Sequence, residues 1–218
     1  MFLALPIIAA FYMDFLQNIP LSAAVNYIGI FAFAFTGALK ARAYAMDVFG
    51  ALVLAFVTAY AGGTLRDWLI GIHPVNWVND NGALLLVCAA VAVAFVLQDL
   101  HNRFRRTIFL SDAIGLGAFT ATGIEIAARH GLNSPYMIIM GVVTATFGGL
   151  VADILCSEVP SVLRRGELYA TVSAIGGAGY VLLGTMGLAD NLNLLVCVLL
   201  VVAVRIVSKY KRLSLPGI

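Results

Sequence analysis

Two stretches of the sequence decide the fold. Residues 47–74 read DVFGALVLAFVTAYAGGTLRDWLIGIHP, and residues 135–160 read PYMIIMGVVTATFGGLVADILCSEVP. Each holds a run of about 20 mostly apolar residues, which is the length that a helix needs to cross a bilayer. Each also has a threonine, a glycine pair, an aspartate and a proline at the same spacing. The two stretches therefore predict two transmembrane helices that derive from one ancestral sequence.

The match between these stretches continues outward without a gap. At an offset of 86 residues the aligned pairs are Gly29 and Gly115, Phe33 and Phe119, Thr36 and Thr122, Thr58 and Thr144, Asp67 and Asp153, and Pro74 and Pro160. An unbroken register of this length is typical of an internal duplication. We therefore predict that the chain contains two copies of one structural unit.

The chain as a whole has the composition of a membrane protein. Of its 218 residues 62% are hydrophobic and 11% are charged, and the mean hydropathy is +0.99. So few charges cannot cover a water-facing surface, and strand alternation is absent. The fold class that we predict is an all-α membrane protein with seven transmembrane helices. Polar breaks place the spans near residues 21–39, 48–72, 82–98, 111–128, 135–157, 168–187 and 191–208.

The repeat and the spans together predict the domain organisation. The divisions are an N-terminal segment (1–20), a first three-helix unit (21–106), a second three-helix unit (107–189), and a seventh helix with a basic tail (190–218). The opening segment lacks a basic region and a cleavage site, so we expect an ordered segment rather than a cleaved signal. A unit of three spans is odd in number, so the second copy enters the membrane upside down, as in many transporters.

The basic residues predict the orientation. Eleven of the thirteen lysines and arginines fall in alternate connections and in the tail: Lys40, Arg42, Arg103, Arg105, Arg106, Arg164, Arg165, Arg205, Lys209, Lys211 and Arg212. Cytoplasmic loops carry such an excess of basic residues. The N-terminus is therefore predicted to lie outside and the C-terminus in the cytoplasm.

The glycine pairs are the first candidate site. Two glycines in the middle of a transmembrane helix invite a kink or local unwinding, and the freed carbonyls need water or an ion. A symmetric pair of such breaks predicts a hydrated cavity, to which threonines one turn earlier add hydroxyl oxygens. The alternative is that the glycines only allow close helix packing. The residues are Gly62, Gly63, Gly148, Gly149, Thr58 and Thr144.

Charged residues inside the spans form the second candidate set. Arg66, Asp67 and Asp153 follow the glycine pairs, and ionisable groups at such depth face a partner or water. Neighbours in sequence do not face each other on a helix, so Arg66 and Asp67 need not pair together. Carboxylates near both mouths would favour cations; alternatively they are salt-bridge partners or interfacial anchors. Lys40 and Glu125, late in spans one and four, are candidates with the same alternatives, and near a helix end Lys40 is expected to snorkel.

Other features predict no further chemistry. The three cysteines lack metal-ligand spacing, the histidines do not cluster, and no cofactor is expected. The net charge of +2 is too small to suggest a nucleic-acid partner. Glycines in the sixth span indicate helix packing, and the seventh span is expected to be a peripheral support with a snorkelling basic end. Short loops and the absence of catalytic motifs argue against an enzyme.

With these motifs in place, the chain resembles the prokaryotic trimeric intracellular cation (TRIC) channels, which are also grouped under a glycine transporter domain name. The resemblance covers both repeats and rests on the paired GG-x-x-x-D motifs. It implies a homotrimer in the lipid bilayer of a prokaryotic inner membrane. It also implies one pore per protomer for monovalent cations, chiefly K⁺ and possibly Na⁺, lined by the kinked second and fifth helices. The second copy departs from the pattern, because Ala152 stands where an arginine is often expected.

The sequence leaves two functions open. The first is a passive monovalent cation channel, and the second is a secondary transporter of a small amino acid such as glycine. The gating stimulus, the conductance and any lipid or calcium regulation are not readable from the residues.

Overall fold

The computed structural model describes residues 20–97, 104–164 and 168–214, and these residues form seven α-helices. The predicted N-terminal segment lies outside the described residues, apart from Pro20. The helices are α1 Leu21–Ala43, α2 Val48–Ile70, α3 Asn81–Val96, α4 Phe104–Arg129, α5 Ser134–Leu155, α6 Ala170–Thr185 and α7 Asp190–Tyr210. Short 3₁₀ helices follow α2 and α5, at Asn76–Asn79 and Ser161–Leu163.

Local sequence signals begin and end these helices. Asp47 precedes α2, and its carboxylate accepts a hydrogen bond from the Gly50 amide at 2.8 Å. Asp80 does the same for α3, with the Ala83 amide at 2.9 Å. Both side chains satisfy an amide that has no partner within its helix. Gly71 ends α2 in the left-handed region, at φ 84°, where a residue without a Cβ is favoured.

Helix length divides the seven helices into two groups. Five of them (α1, α2, α4, α5 and α7) are long and apolar enough to cross a membrane. The third helix of each unit, α3 and α6, has 16 residues, which gives a rise of roughly 24 Å. α4 begins at Phe104 rather than near residue 111, so the predicted boundary between residues 106 and 107 falls in its first turn.

Equivalent residues of the two units contact each other at the centre of the molecule. The Phe33 and Phe119 rings meet edge to face at a centroid distance of 5.1 Å. The Phe119 ring lies against Gly29, and the Phe33 ring lies against Gly115. A surface that contacts its own equivalent in this reciprocal way is the pattern that a two-fold axis produces. α1 and α4 therefore form the central contact between the units.

α2 and α5 cross just as reciprocally, and their backbones touch. A methyl group on Gly62 would overlap the carbonyl oxygen of Thr144, and one on Gly148 would overlap the carbonyl oxygen of Thr58. A later residue of each helix meets an earlier residue of the other, so the two helices run antiparallel. Small residues permit this approach, as in many membrane helix pairs.

The glycine pairs do not interrupt their helices. α2 is helical through Gly62 and Gly63, and α5 is helical through Gly148 and Gly149. The predicted unwinding, with carbonyls freed at each pair, is therefore not what this structure has. A kink remains a prediction. Gly62 and Gly148 allow close helix packing, as the alternative in the sequence analysis proposed. Gly63 and Gly149 face away from the crossing.

Helices α6 and α7 pack on each other. A methyl group on Gly176 would overlap the side chain of Val201, and the Asn193 amide donates to the Tyr180 carbonyl at 2.9 Å. The glycines of α6 thus serve contact within the protomer. α7 also packs on α4, where the position of a Cβ on Gly117 lies 2.9 Å from the Val198 carbonyl.

The two glycines of one pair should respond differently to alanine. We expect Gly62→Ala to separate α2 from α5 and to lower stability by about 1–3 kcal/mol, the usual cost of overpacking. A Cβ on Gly63 would lie 3.6 Å from Arg66 Nη2, so Gly63→Ala should be neutral or slightly stabilising. Unfolding of the detergent-solubilised variants measures both. Equal losses would mean that the backbone freedom of the pair matters, and not the crossing.

Candidate functional site

Two polar cavities approach the crossing of α2 and α5 from opposite ends. The large cavity has a volume of about 700 Å³, and the small cavity has a volume of about 70 Å³. The large cavity reaches Thr58 and Gly149, and the small cavity reaches Thr144 and Gly63. The second glycine of each pair therefore lines a cavity, while the first closes the crossing between them.

Thr58 lines the large cavity and Thr144 lines the small one, and each hydroxyl has already donated its proton. The Thr58 hydroxyl donates to the Leu54 carbonyl at 2.6 Å, and the Thr144 hydroxyl donates to the Met140 carbonyl at 2.6 Å. Each side chain is 2% exposed. A hydroxyl that has donated its proton retains lone pairs and acts only as an acceptor. Each hydroxyl can therefore accept a further hydrogen bond but cannot donate one.

Asp67 is buried in the wall of the small cavity and is fully engaged. Its Oδ1 accepts from Arg66 Nε at 3.0 Å and from Arg66 Nη2 at 2.7 Å, and its Oδ2 accepts from the Asn76 amide at 2.9 Å. The sequence left the pairing of Arg66 and Asp67 open, and the structure pairs them. The arginine side chain is long enough to fold back along the helix, and burial makes a paired carboxylate strongly favoured over a bare one.

Asp153, the equivalent of Asp67 in the second unit, pairs with a basic residue of the first unit. Lys40 of α1 donates to Asp153 Oδ1, and the Ser161 amide donates to Oδ2 at 2.6 Å. Asp153 is 2% exposed, so an unpaired carboxylate there would be costly. The expectation that Lys40 snorkels toward the interface is therefore wrong. A buried partner on α5 holds its ammonium group in the wall of the large cavity.

Both carboxylates do the same structural work. Each accepts the backbone amide at the start of the 3₁₀ helix that follows its own α-helix, and each is neutralised by one basic side chain. Neither is a free negative charge at a mouth. Of the two interpretations of these residues, the salt-bridge alternative describes the geometry.

An exposed cluster lies at the rim of the large cavity. Tyr44 donates to Glu158, and Arg164 Nη2 lies 2.5 Å from Glu158 Oε2. The hydrogen bond from Tyr44, followed by the interaction with Arg164, holds the pKa of Glu158 below its usual range. The same hydrogen bond raises the pKa of Tyr44 to about 12. At neutral pH this rim therefore holds an ionised carboxylate and a neutral phenol.

Glu125 lies away from both polar cavities. Its Oε1 is 2.5 Å from Nη2 of Arg129, one turn later on α4, and that arginine is exposed. The structure therefore does not bring Glu125 together with the other candidate residues.

Asp112, Tyr169 and Arg205 line the large cavity but were not among the predicted site residues. The Tyr169 hydroxyl donates to Asp112 Oδ1 at 2.8 Å, and Arg205 lies against both. Arg205 is 3% exposed, so it belongs to the interior and not to a snorkelling basic end. The sequence could have indicated Arg205, because a charge inside a predicted span requires a partner, and the same rule marked Arg66 as a candidate.

The sequence and the fold of the chain are both similar to those of known proteins. A family model described as glycine transporter matches the chain twice, at residues 23–99 and 109–185. A crystal structure of the TRIC trimeric intracellular cation channel orthologue from Rhodobacter sphaeroides is 34% identical, with a TM-score of 0.83. The match covers 88% of this chain and 98% of that one. The chain belongs to the prokaryotic TRIC family.

Curated relatives of this TRIC protein are named as membrane proteins. A UPF0126 membrane protein of Vibrio cholerae is 37% identical over 193 residues, which cover 88% of this chain and 80% of the relative. The UPF0126 inner membrane protein YadS of Escherichia coli is 36% identical over 154 residues, covering 70% and 74%. The solved TRIC structures support a cation channel, and they are channels rather than enzymes.

The lysine–aspartate pair of this TRIC chain should show strong coupling. We expect Lys40→Met to lower stability by about 3–5 kcal/mol, because it leaves the Asp153 carboxylate buried without a cation. The double variant K40M/D153N removes both charges and should recover most of that loss. A double-mutant cycle of unfolding in mixed micelles measures the coupling. Additive losses would contradict a direct pair.

Proposed function

We propose that this protein is a monovalent cation channel with one pathway in each protomer. The pathway runs from the large cavity, past the crossing of α2 and α5, to the small cavity. The single observation that carries the proposal is the approach of two polar cavities to the same helix crossing from opposite ends. In this proposal the pathway is closed at the crossing, where the backbones of Gly62 and Gly148 touch the opposite helix.

Selectivity for cations rests on oxygen acceptors rather than on the buried carboxylates. Thr58 and Thr144 offer lone pairs in the walls of the two cavities, since their protons are donated within their own helices. Thr36 adds a third hydroxyl, which donates to the Ala32 carbonyl at 2.9 Å and lines the large cavity. Neutral oxygen ligands of this kind replace part of the hydration shell of a monovalent cation. K⁺ is the proposed permeant ion, with Na⁺ as the less preferred one.

The glycines and the charged pairs have separate roles in this proposal. Gly62 and Gly148 set the closed crossing, while Gly63 and Gly149 keep the cavity walls free of side chains. Asp67 with Arg66, and Asp153 with Lys40, hold the ends of α2 and α5. Opening separates the crossing, and kinks at the glycine pairs are the proposed means.

The membrane arrangement completes the proposal. All seven helices cross the plasma membrane of a prokaryotic cell, with the N-terminus outside and the C-terminus in the cytoplasm. The two units are inverted repeats about an axis in the membrane plane. The solved Rhodobacter sphaeroides relative, a trimeric cation channel, supports a homotrimer, and the inner membrane protein YadS supports the inner membrane.

A glycine carrier is the second candidate, and the description of the family model favours it. In a carrier of this kind, the N-terminal ends of half-helices would hold the substrate carboxylate. The continuous helicity of α2 and α5 through their glycine pairs argues against such half-helices. The channel is therefore the better-supported function.

Recordings from purified protein in planar bilayers distinguish the two. We expect unitary currents with a reversal potential close to that of K⁺ under a KCl gradient, at rates of many ions per millisecond. Empty bilayers and bilayers with heat-denatured protein are the controls. Silent membranes combined with saturable glycine uptake into liposomes would replace the channel by the carrier.

Removing one hydroxyl at a time tests the oxygen ligands. We expect Thr58→Val and Thr144→Val to lower the unitary K⁺ conductance severalfold, because each loses an acceptor while keeping its shape. Thr146→Val is the matched control: this hydroxyl is also buried and donates to the Val142 carbonyl at 2.8 Å, but it lines neither polar cavity. If all three variants conduct alike, the threonine oxygens do not contact the permeant ion.

A further inference from the structure

The seventh helix, which lies outside the repeat, places a buried guanidinium in the wall of the large cavity. Arg205 Nη1 donates to the Leu168 carbonyl at 3.0 Å. The guanidinium carbon lies 4.7 Å from the centre of the Tyr169 ring and 5.3 Å from that of Phe109. At 3% exposure, this arginine is part of the interior. Stacking on two aromatic rings restricts it to one orientation.

Tyr169 connects this arginine to the glycine pair of α5. Its hydroxyl donates to Asp112 Oδ1 at 2.8 Å, and Arg205 Nη2 lies 3.9 Å from Asp112 Oδ2. The same hydroxyl oxygen is 3.1 Å from the position that a Cβ on Gly149 would occupy. A contact path therefore leads from α7 through a ring and a hydroxyl to the face of α5 that borders the cavity.

The two units differ at the position that precedes the buried aspartate. Arg66 of the first unit lies beside Gly63, at 3.6 Å from the Cβ position, and supplies the guanidinium of the small cavity. Its equivalent in the second unit is Ala152, which lines the large cavity without a charge. Arg205, on the helix outside the repeat, instead stacks on Tyr169, whose hydroxyl borders Gly149. Arg105 and Arg164 also line this cavity, so the two units differ in how their arginines are placed.

The two cavities also differ in charge. Among the described residues, five basic side chains (Lys40, Arg105, Arg164, Arg205 and Lys209) and three acidic ones (Asp112, Asp153 and Glu158) line the large cavity, a formal net charge of +2. Arg66, Asp67 and Asp80 give the small cavity a net charge of −1. Opposite charges at the two ends change the local cation concentration in opposite directions.

We propose that Arg205 is a positioning and specificity-determining residue of the pathway. It holds Tyr169 against Gly149, and it maintains the positive potential of the large cavity. This proposal rests on the proposed channel function for its effect on current. Cations then enter more readily from the small cavity than from the large one, so the current rectifies at low salt. The asymmetry declines as salt shortens the screening length.

Substitutions of Arg205 separate charge from packing in bilayer recordings. At low salt R205M should reduce rectification about two- to threefold, because one charge is lost from the cavity wall. R205K keeps the charge and should rectify like the wild type. R205M/D112N restores the formal net charge and should regain rectification, and it also avoids an uncompensated buried carboxylate. K211M, a charge change at an exposed residue after α7, is the matched control.

A second measurement does not depend on conduction. In a background with Cys88, Cys156 and Cys197 replaced by alanine, Leu150→Cys places a thiol in the wall of the large cavity. The rate with a cationic thiosulfonate reagent, divided by the rate with a neutral one, reports the local potential. R205M should raise this ratio about three- to fivefold, and R205K should leave it near the wild-type value.

The outcomes are distinct. An unchanged reagent ratio in R205M, or equal effects of R205M and R205K, would overturn the role of the charge and leave only packing. Failure of R205M/D112N to restore the ratio would also overturn it. A raised ratio in a protein that gives silent bilayers would support the assignment of Arg205 to the cavity potential and reject the channel function.

Discussion

The structure depends on one close contact between two helices. Where α2 and α5 cross, the carbonyl oxygens of Thr58 and Thr144 occupy the space that side chains on Gly148 and Gly62 would take. Lipid gives helices little hydrophobic reason to associate, so a membrane bundle relies on such close backbone approach. The crossing also determines what lies around it. Thr58 and Gly149 line the large cavity beside it, and Thr144 and Gly63 line the small one.

The ends of the same two helices show how buried charge is tolerated. Asp67 and Asp153 each accept a backbone amide from the segment that follows the helix. Because both carboxylates are buried, each also needs a nearby cation. The first unit supplies that cation from the adjacent residue, Arg66. The second unit has Ala152 there and takes the cation from Lys40 of the first unit. One structural requirement has thus been met by two different residues, and the second solution ties the units together.

Hydropathy predicted all seven helices to within a few residues at most boundaries, because lipid requires long apolar runs whatever their packing. The exception is the start of α4, where Arg105 and Arg106 were taken for a loop but lie in the first helical turns. The 86-residue register also predicted which residues would be equivalent. It could not predict the Lys40–Asp153 pair, because that contact joins residues 113 positions apart and exists only once the units have packed. Nor could it separate Gly62 from Gly63, since their roles depend on which face of α2 meets α5. Arg205 was missed for a different reason: its position near the chain end suggested an interface, although the charge lay within a predicted span.

The Lys40–Asp153 pair also has a consequence for the history of the chain. Duplicated membrane units often begin as one gene whose product inserts in both orientations and pairs with itself. In such a homodimer of the present second unit, Ile126 would replace Lys40 at the contact, and Asp153 would have no cation. Arg205 would be missing as well, since it belongs to the added helix. The two halves have therefore lost the ability to stand in for one another. Each half now supplies a contact that the other lacks, so the chain works only as a pair of complementary halves.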